Sequence, residues 1–232
     1  MKIFEFLKWK NIDIYRAFKN RREEKVHLYG IFGFFGLPGY GKTIAMTEEL
    51  LRLREKYGDR IYIFTNYGFK FEDAQFTHWK MLLKEYDKPA VFAWDEVQNE
   101  FNSRDYSNFP VELLTLLTQN RKGYGKRIYY TAQKYNRVDK VFRELSFLVG
   151  ECKTLMGRYT RVRWFDTEDY EMLLSTPDVS KRIKIKPRKK YSFIQSDSIR
   201  DSYDSYKMLE TAKNRDYINK RDIKIEEVQR IL

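Results

Sequence analysis

Residues 36–43 read Gly-Leu-Pro-Gly-Tyr-Gly-Lys-Thr and fill every position of the pattern G-x-x-x-x-G-K-[ST]. An apolar run at 28–35 precedes this segment and an amphipathic run at 43–57 follows it, so the pattern predicts a strand, a loop and a helix in that order. In such a loop, glycines let backbone N–H groups surround a phosphate, and the positive end of the helix dipole adds to the attraction. The segment therefore predicts a site for a nucleoside triphosphate.

The loop also predicts the cofactors, which are ATP and Mg²⁺. We expect Lys42 to reach the β- and γ-phosphate oxygens and Thr43 to offer its hydroxyl to Mg²⁺. The nucleotide-binding residues predicted from the sequence are Gly36, Leu37, Pro38, Gly39, Tyr40, Gly41, Lys42, Thr43 and Gln133.

A second motif, Val-Phe-Ala-Trp-Asp-Glu at 91–96, ends a short and wholly apolar run. Such a run is typical of a strand buried on both faces, and ligands of open α/β sheets bind at the carboxyl ends of these strands. Asp95 is predicted to hold Mg²⁺ together with Thr43, and Glu96 to polarise the attacking water. A strand that ends in a solvated acidic turn would show the same residues. The order of the two motifs favours a hydrolytic ATPase, because a small-molecule kinase needs no base that activates water.

Two positions farther along the chain are also candidates for the catalytic site. Arg121 follows the helix that Pro110 opens, and its guanidinium is predicted to stabilise charge on the γ-phosphate of a neighbouring subunit. The alternative is a basic residue that only interacts with the helix dipole. Gln133 is predicted to close a strand. Either its amide contacts the γ-phosphate or positions the water, or Gln133 is only a polar residue at the end of a strand. The predicted catalytic residues are Lys42, Glu96 and Arg121.

The charge of the chain favours a polyanionic partner. The net charge is +12, which points to nucleic acid first and an anionic membrane second. Residues 181–190 contain seven Lys and Arg, and this segment is either an edge strand protected by charge or a strip that contacts phosphates. The predicted DNA contacts are Arg104, Lys122, Lys126, Lys184 and Lys186.

Cysteine and hydropathy exclude several classes of protein. The chain has one cysteine and two histidines, which rules out a disulfide framework and a metal cluster built from these residues. Cys152 is expected to be a small core residue rather than a reactive thiol. No uncharged apolar run of about 18 residues occurs, so we expect a soluble protein in the cytoplasm of a bacterial host, transiently bound to a procapsid.

The alternation of strand and helix patterns predicts an α/β fold, with a mostly parallel sheet between layers of helices. We expect a P-loop NTPase of the additional-strand, RecA-like type with a short basic C-terminal extension. The predicted parts are a basic amphipathic segment (1–27), an ATPase domain (28–178) and a basic tail with short helices (179–232). Beyond the two motifs, the predicted strands are 61–65, 127–131, 147–151 and 159–165, and the predicted helices 76–86, 110–120 and 138–145.

Several motifs together resemble one superfamily. The phosphate-binding loop, Asp95-Glu96 followed by Gln98, the segment Thr-Gln-Asn-Arg-Lys-Gly-Tyr-Gly and the strand Tyr-Tyr-Thr-Ala-Gln are similar to the HerA–FtsK superfamily of DNA-pumping ATPases. Within it, the chain most resembles the branch named for the zonular occludens toxin domain, which occurs in phage assembly proteins. The resemblance covers residues 28–165. Filamentous-phage members carry a transmembrane helix after the ATPase domain, and no such run occurs here, which makes the chain more similar to the genome-packaging ATPases of small tailed phages.

The resemblance implies an ATP-driven translocase that packages double-stranded viral DNA into a procapsid as a homo-oligomeric ring, pentameric or hexameric. The expected partners are double-stranded DNA, other copies of the chain and a phage portal or procapsid, and a membrane partner is not expected. The alternative is an ATPase for filamentous phage assembly or extrusion, or for plasmid DNA transfer, with residues 2–22 lying on an anionic membrane. A nucleotide-gated scaffold that hydrolyses ATP slowly is a third hypothesis, and Glu96 argues against it.

Overall fold

The computed structural model describes residues 2–19, 26–101, 110–119, 121–182 and 184–204. Its helices are α1 (Lys2–Lys19), α2 (Lys42–Tyr57), α3 (Val111–Thr118), α4 (Lys140–Leu145), α5 (Thr167–Ser175), α6 (Val179–Arg182) and α7 (Asp197–Arg200). Its strands are β1 (Gly30–Phe35), β2 (Tyr62–Thr65), β3 (Ala74–Gln75), β4 (Ala90–Trp94), β5 (Lys126–Ala132), β6 (Leu148–Leu155), β7 (Tyr159–Phe165) and β8 (Lys189–Ile194).

The eight strands form one sheet in the order β3-β2-β4-β5-β1-β6-β7-β8. From β3 to β6 every neighbouring pair is parallel, whereas β7 is antiparallel to both β6 and β8. The parallel strands β4, β5 and β1 end on the same edge, so the residues that follow them meet there. This confirms the predicted α/β class and the mostly parallel sheet.

Each face of the sheet buries its own hydrophobic cluster. One cluster contains Ala45, Met46 and Leu50 of α2, together with Cys152, and so places α2 on one face. The other cluster contains residues of α3, α4 and α5. Because β4 is covered on both sides, all five of its residues are buried, as its uninterrupted apolar sequence predicts. Cys152 is buried in the core as predicted, and burial raises the pKa of its thiol above the ordinary value.

The helix predicted over 76–86 is wrong. The structure has strand β3 and a single 3-10 turn at Trp79–Leu83 in its place. Phe76 extends the pairing of β3, since its backbone N–H donates to the carbonyl of Thr65 at 2.7 Å. The ring nitrogen of His78 then accepts from the N–H of Lys80, which starts the short turn. An extended chain followed by one tight turn therefore buries the apolar residues of this segment. The spacing of these residues in the sequence resembles that of a helix, which explains the wrong prediction.

The sheet reaches beyond residue 178, the predicted end of the ATPase domain. Strand β8 pairs with β7, and an isolated antiparallel bridge joins Tyr203 to Phe69, so residues up to Asp204 contact the sheet domain. The short helices predicted in the tail are 202–213 and 222–232, and apart from residues 202–204 they lie outside the described residues. The division of the chain into three parts stays a prediction. Among the described residues, no helix has the length and apolar character needed to cross a bilayer.

Candidate nucleotide-binding and hydrolytic site

The glycine-rich loop connects β1 to α2, as its sequence predicts. Gly41 immediately precedes α2 with φ 77°, a left-handed conformation that a glycine adopts without steric cost. The backbone N–H of Tyr40 donates to the carbonyl of Leu37 at 3.1 Å, which closes the turn. Lys42 is buried to 8% exposure, and its Nζ lies 3.3 Å from the same Leu37 carbonyl. The amine is thus held over the loop at the start of α2.

Asp95 lies directly after β4, and its carboxylate faces the start of α2. The hydroxyl of Thr43 donates to both carboxylate oxygens of Asp95, at 2.9 and 3.1 Å. The hydroxyl of Thr131 donates to Oδ1 at 2.6 Å. Burial raises the pKa of the Asp95 carboxyl above its ordinary value, and the two hydroxyl donors offset part of that rise. The structure therefore brings together the two residues that the sequence assigns to Mg²⁺.

The donor set of this pair fits Mg²⁺. A threonine hydroxyl and a carboxylate are hard oxygen ligands, and Mg²⁺ in nucleotide sites takes one or two such groups while phosphates and waters complete its octahedron. Among the described residues there is no cluster of three or more His, Cys, Asp or Glu that forms a protein-only metal cage. Thr43 and Asp95 thus match an ion that arrives with its nucleotide.

Thr131 connects the two acidic residues of the second motif. Its side chain is fully buried in β5, next to the end of β4. While its hydroxyl donates to Asp95, its oxygen accepts from the backbone N–H of Glu96 at 2.9 Å. One side chain therefore fixes the Asp95 carboxylate and the backbone that carries Glu96.

Asn66, which the sequence analysis missed, anchors Asp95 from the other side. Its Oδ1 accepts from the backbone N–H of Asp95 at 2.7 Å, and its Nδ2 donates to the Asp95 carbonyl at 3.0 Å. The only signal in the sequence was a polar residue directly after β2, the strand that pairs with β4. That signal becomes specific only when the strand order is known.

Glu96 has an uncommon backbone conformation for a residue with a side chain. Its φ is 54°, in the left-handed region, and such outliers concentrate at functional sites. Its carboxylate accepts from Gln133 Nε2 and from Asn99 Nδ2, both at 3.3 Å. The structure thus brings Gln133 and Glu96 together at the edge where the loop lies. Two amides hold the carboxylate that the sequence predicts to activate water.

A replacement of Thr131 tests this arrangement. We expect Thr131→Val to lower the free energy of unfolding by about 1.5–3 kcal/mol, because a buried carboxylate loses a hydroxyl donor. ATP turnover is expected to fall about tenfold or more, since Glu96 also loses its backbone anchor. Thermal unfolding and steady-state hydrolysis measure the two effects. The control is Thr131→Ser, which keeps the hydroxyl; equal losses in the two variants would refute the role of the hydroxyl.

A polar cluster supports the loop from the side of β6 and β7. A Cβ atom at Gly41 would lie only 2.4 Å from the Thr154 hydroxyl, so the loop packs tightly against this cluster. The hydroxyls of Thr154 and Thr160 lie 2.9 Å apart, and the buried amide of Gln195 donates to Thr160 at 2.8 Å. Arg200 in turn donates to the side-chain oxygen of Gln195, Oε1, at 2.9 Å. Residues 195–200 therefore support the nucleotide loop through two threonines.

A cavity of about 510 Å³ adjoins the phosphate-binding loop. Gly36, Leu37 and Tyr40 of the loop line it, and so does Gln133. Its remaining walls include the aromatic side chains of Tyr135 and Tyr170, the basic side chains of Lys134, Lys153 and Arg161, and the acidic side chain of Glu151.

The predicted residues Arg121, Lys122 and Lys126 lie at the other edge of the sheet. They precede or begin β5, which has seven residues, so about 20 Å separates them from Gln133 at its far end. Arg121 is exposed, and Lys122 donates to Gln119 at 3.0 Å. Lys126 donates to the carbonyl of Leu82 at 2.7 Å, and burial lowers the pKa of its amine. Arg121 therefore cannot reach the nucleotide site of its own chain.

Of the other three predicted DNA contacts, the structure describes two. Lys184 and Lys186 are exposed between α6 and β8, outside any strand. The edge strand is β8, which begins at Lys189, so most of the 181–190 segment precedes it. Arg104 lies outside the described residues. All five DNA contacts stay predictions.

The fold and the loop define the class of protein: a mostly parallel α/β sheet with a phosphate-binding loop after β1 and an acidic residue after β4 is the arrangement of a P-loop NTPase. The sequence model of the family described as zonular occludens toxin (Zot) matches residues 48–199. The chain belongs to the Zot family.

One solved structure agrees with this assignment at the level of the fold, and two others align more weakly. The N-terminal domain of zonular occludens toxin from Neisseria meningitidis aligns with a TM-score of 0.52 and 20% identity, and covers 76% of this chain and 100% of that domain. The genome packaging NTPase B204 from Sulfolobus turreted icosahedral virus 2, in complex with ATP-gammaS, aligns with a TM-score of 0.45 and 12% identity over 60% of this chain and 93% of its own. B204 from Sulfolobus turreted icosahedral virus, described as a DNA-packaging ATPase, aligns with a TM-score of 0.45 and 13% identity over the same shares. Curated proteins give no match.

Proposed function

We propose that this chain is a Mg²⁺-dependent ATPase that drives DNA movement during the assembly of a virus. The observation that carries the proposal is the contact of Thr43 with Asp95 at 2.9 Å, with Glu96 as the next residue. It joins the end of the phosphate-binding loop to a metal-binding carboxylate and an adjacent base. A scaffold that only binds nucleotide needs no positioned glutamate.

Each residue of the site has a defined part in this reaction. The backbone N–H groups of the loop and the Lys42 amine bind the β- and γ-phosphates and withdraw charge from the bond that breaks. Mg²⁺, held by Thr43 and Asp95, would neutralise charge that develops between the same phosphates. Glu96 accepts a proton from the attacking water, and Gln133 keeps the carboxylate turned toward the γ-phosphate.

The cavity beside the loop suits the nucleoside. Because it shares Gly36, Leu37 and Tyr40 with the phosphate site, a ligand that carries both a ring and a phosphate chain can occupy the two spaces together. Aromatic walls provide stacking surfaces for a base, and Arg161 and Lys153 provide cations for ribose and phosphate oxygens.

Double-stranded DNA is the proposed cargo, with a ring of identical subunits as the motor. The net charge of +12 supports binding to the phosphate backbone of DNA, which does not depend on the base sequence. Packaging of a viral genome into a procapsid is our first candidate. The Zot family match favours a second candidate, DNA extrusion during filamentous phage assembly or plasmid transfer.

Steady-state ATP hydrolysis with and without long double-stranded DNA tests the proposal. We expect turnover to rise with DNA, to weaken as salt increases from low to moderate, and to accompany an oligomeric mass in light scattering. Lys42→Ala is the matched control and should remove hydrolysis under all conditions. Hydrolysis that ignores DNA would contradict the motor, and absence of ATP binding would contradict the proposal as a whole.

The proposed role of Arg121 predicts an effect between subunits. Arg121→Ala is expected to bind ATP normally and to lose about 10³-fold in turnover, because no guanidinium reaches the neighbour's γ-phosphate. Lys88→Ala is the control, since that amine donates to the carbonyl of Asp59 in its own chain and has no predicted part in the site.

Mixed subunits make the test decisive. Arg121→Ala and Lys42→Ala chains are each inactive alone, but a mixture forms interfaces with an intact loop on one side and an intact arginine on the other. We expect the mixture to regain measurable turnover. Full activity of Arg121→Ala alone, or no recovery in the mixture, would show that Arg121 plays no part across the interface.

A further inference from the structure

Helix α1 exposes an apolar face that no other part of the described chain covers. Seven of its large apolar side chains are between 49% and 81% exposed, and none belongs to either hydrophobic cluster. Six of them share one side of the helix, which we term the α1 apolar face: Ile3, Phe4, Phe6, Leu7, Ile14 and Tyr15. A patch of this kind on a protein surface marks a contact with an apolar partner.

The helix is amphipathic in the manner of an interfacial helix. At 3.6 residues per turn, Ile3, Leu7 and Ile14 fall on one line, and the aromatic residues flank it on both sides. Glu5 lies on the opposite side, and Lys8 lies just beyond Tyr15 at one edge of the apolar face. Lys10 lies within the apolar face, but its long stem lets the amine extend to a polar boundary. With 18 residues, α1 is about 27 Å long, enough to lie along a surface.

We propose that α1 anchors the protein to an anionic lipid bilayer, with its apolar face in the boundary between headgroups and acyl chains. Residues 1–27 contain eight Lys and Arg against four Asp and Glu, so the segment is attracted to anionic headgroups. Phe, Trp and Tyr side chains are the residues that partition into this boundary. Trp9, half exposed, lies about 60° around the helix from Phe6 and so outside the α1 apolar face.

The same observations disfavour a second copy of the chain as the partner. A helix pair buries a narrow seam, whereas the α1 apolar face extends about half way around the helix. Two positively charged copies of the segment also repel each other. The sequence places residues 2–22 on an anionic membrane only within its alternative hypothesis, and the structure adds that no other described part of the chain covers the α1 apolar face. The inference goes beyond the proposed function and does not depend on nucleotide chemistry.

Vesicle co-sedimentation of the full chain tests the inference. The probes are vesicles of phosphatidylglycerol and phosphatidylcholine in equal parts, and vesicles of phosphatidylcholine alone. The test variant combines Phe4→Glu with Leu7→Glu, which places charge on the apolar face. The matched control combines Met156→Glu with Met172→Glu, two exposed apolar residues at the β6–β7 turn and on α5, with the same change in charge.

We expect the unmodified chain to bind the anionic vesicles at least about tenfold more tightly than the neutral ones, and the α1 variant to lose about tenfold or more. The control should bind within about twofold of the unmodified chain. Failure of the unmodified chain to bind, or equal binding by the α1 variant, would overturn the inference. So would a loss of oligomeric mass in the α1 variant without any vesicle binding, which would make the face a subunit contact. Vesicle binding by a chain that hydrolyses no ATP would leave this inference standing and refute only the proposed function.

Discussion

Glu96→Gln is expected to stop ATP hydrolysis while ATP still binds. A general base contributes about 10²–10⁴-fold to a rate, so turnover should fall by that range. The amide keeps the shape of the side chain and can still contact Asn99 and Gln133 (each 3.3 Å from the carboxylate), but it cannot accept the proton of the water. Binding depends on the loop and Lys42, which the substitution leaves unchanged.

Single-turnover hydrolysis and equilibrium binding of a fluorescent ATP analogue separate the two effects. Glu55→Gln, an exposed carboxylate on α2, removes one negative charge from the same chain and serves as the control. We expect the control to hydrolyse ATP at the unmodified rate. If Glu96→Gln also turned over at that rate, the base would lie elsewhere; if it lost ATP binding instead, Glu96 would act in nucleotide capture rather than in the chemical step.

Apart from Gln133, the described site residues that the sequence identified lie within two short segments. Gly36–Thr43 and Asp95–Glu96 carry their geometry in their own spacing, because each segment is a strand end with the loop that follows it. The contact between Thr43 and Asp95 needs β1 and β4 to end on the same edge of the sheet, which a parallel α/β fold provides, and to have only β5 between them.

The residues that the sequence did not identify contribute through strand order. Asn66 and Thr131 reach Asp95 because β2 and β5 are the neighbours of β4, and nothing in the local sequence specifies those neighbours. Thr131 stands in the Tyr-Tyr-Thr-Ala-Gln strand that carries part of the family resemblance, but its bond to Asp95 depends on the register of β4 against β5. The role of Gln195, which donates to Thr160, is even harder to predict from the sequence, because it depends on how the chain folds around β7 and β8.

The errors in the fold have a similar cause. The segment at 76–86 has apolar residues at spacings that a helix and an irregular chain share, and pairing of Phe76 with Thr65 decides the outcome. The predicted strands at 147–151 and 159–165 are present as β6 and β7, and their antiparallel hairpin continues past the last residue of β1, next to the loop. This hairpin supplies the threonines that contact Gly41.

Gly41→Ala is expected to disable the loop by steric contact alone. The left-handed φ of 77° costs a residue with a side chain about 1–2 kcal/mol. The new Cβ would also lie 2.4 Å from the Thr154 hydroxyl and 3.2 Å from the Thr160 hydroxyl, which hydrogen bond to each other. Relief requires a shift of the loop away from β6, and a shift of 1 Å at a phosphate site costs on the order of 10²-fold in activity. We expect at least that loss in ATP turnover, with weaker ATP binding.

The chain contains its own control and its own rescue for this prediction. Gly39 has a similar φ of 79°, but a Cβ there meets no atom within 4 Å, so Gly39→Ala carries the backbone strain without the contact. It should bind ATP far better than Gly41→Ala. Adding Thr154→Ala to Gly41→Ala removes the hydroxyl in closest contact and should recover part of the lost binding, which titration of a fluorescent ATP analogue would measure. Equal defects in the two glycine variants, together with no recovery in the double variant, would contradict the prediction. The loss would then come from the left-handed backbone conformation alone and not from contact of the new Cβ with β6.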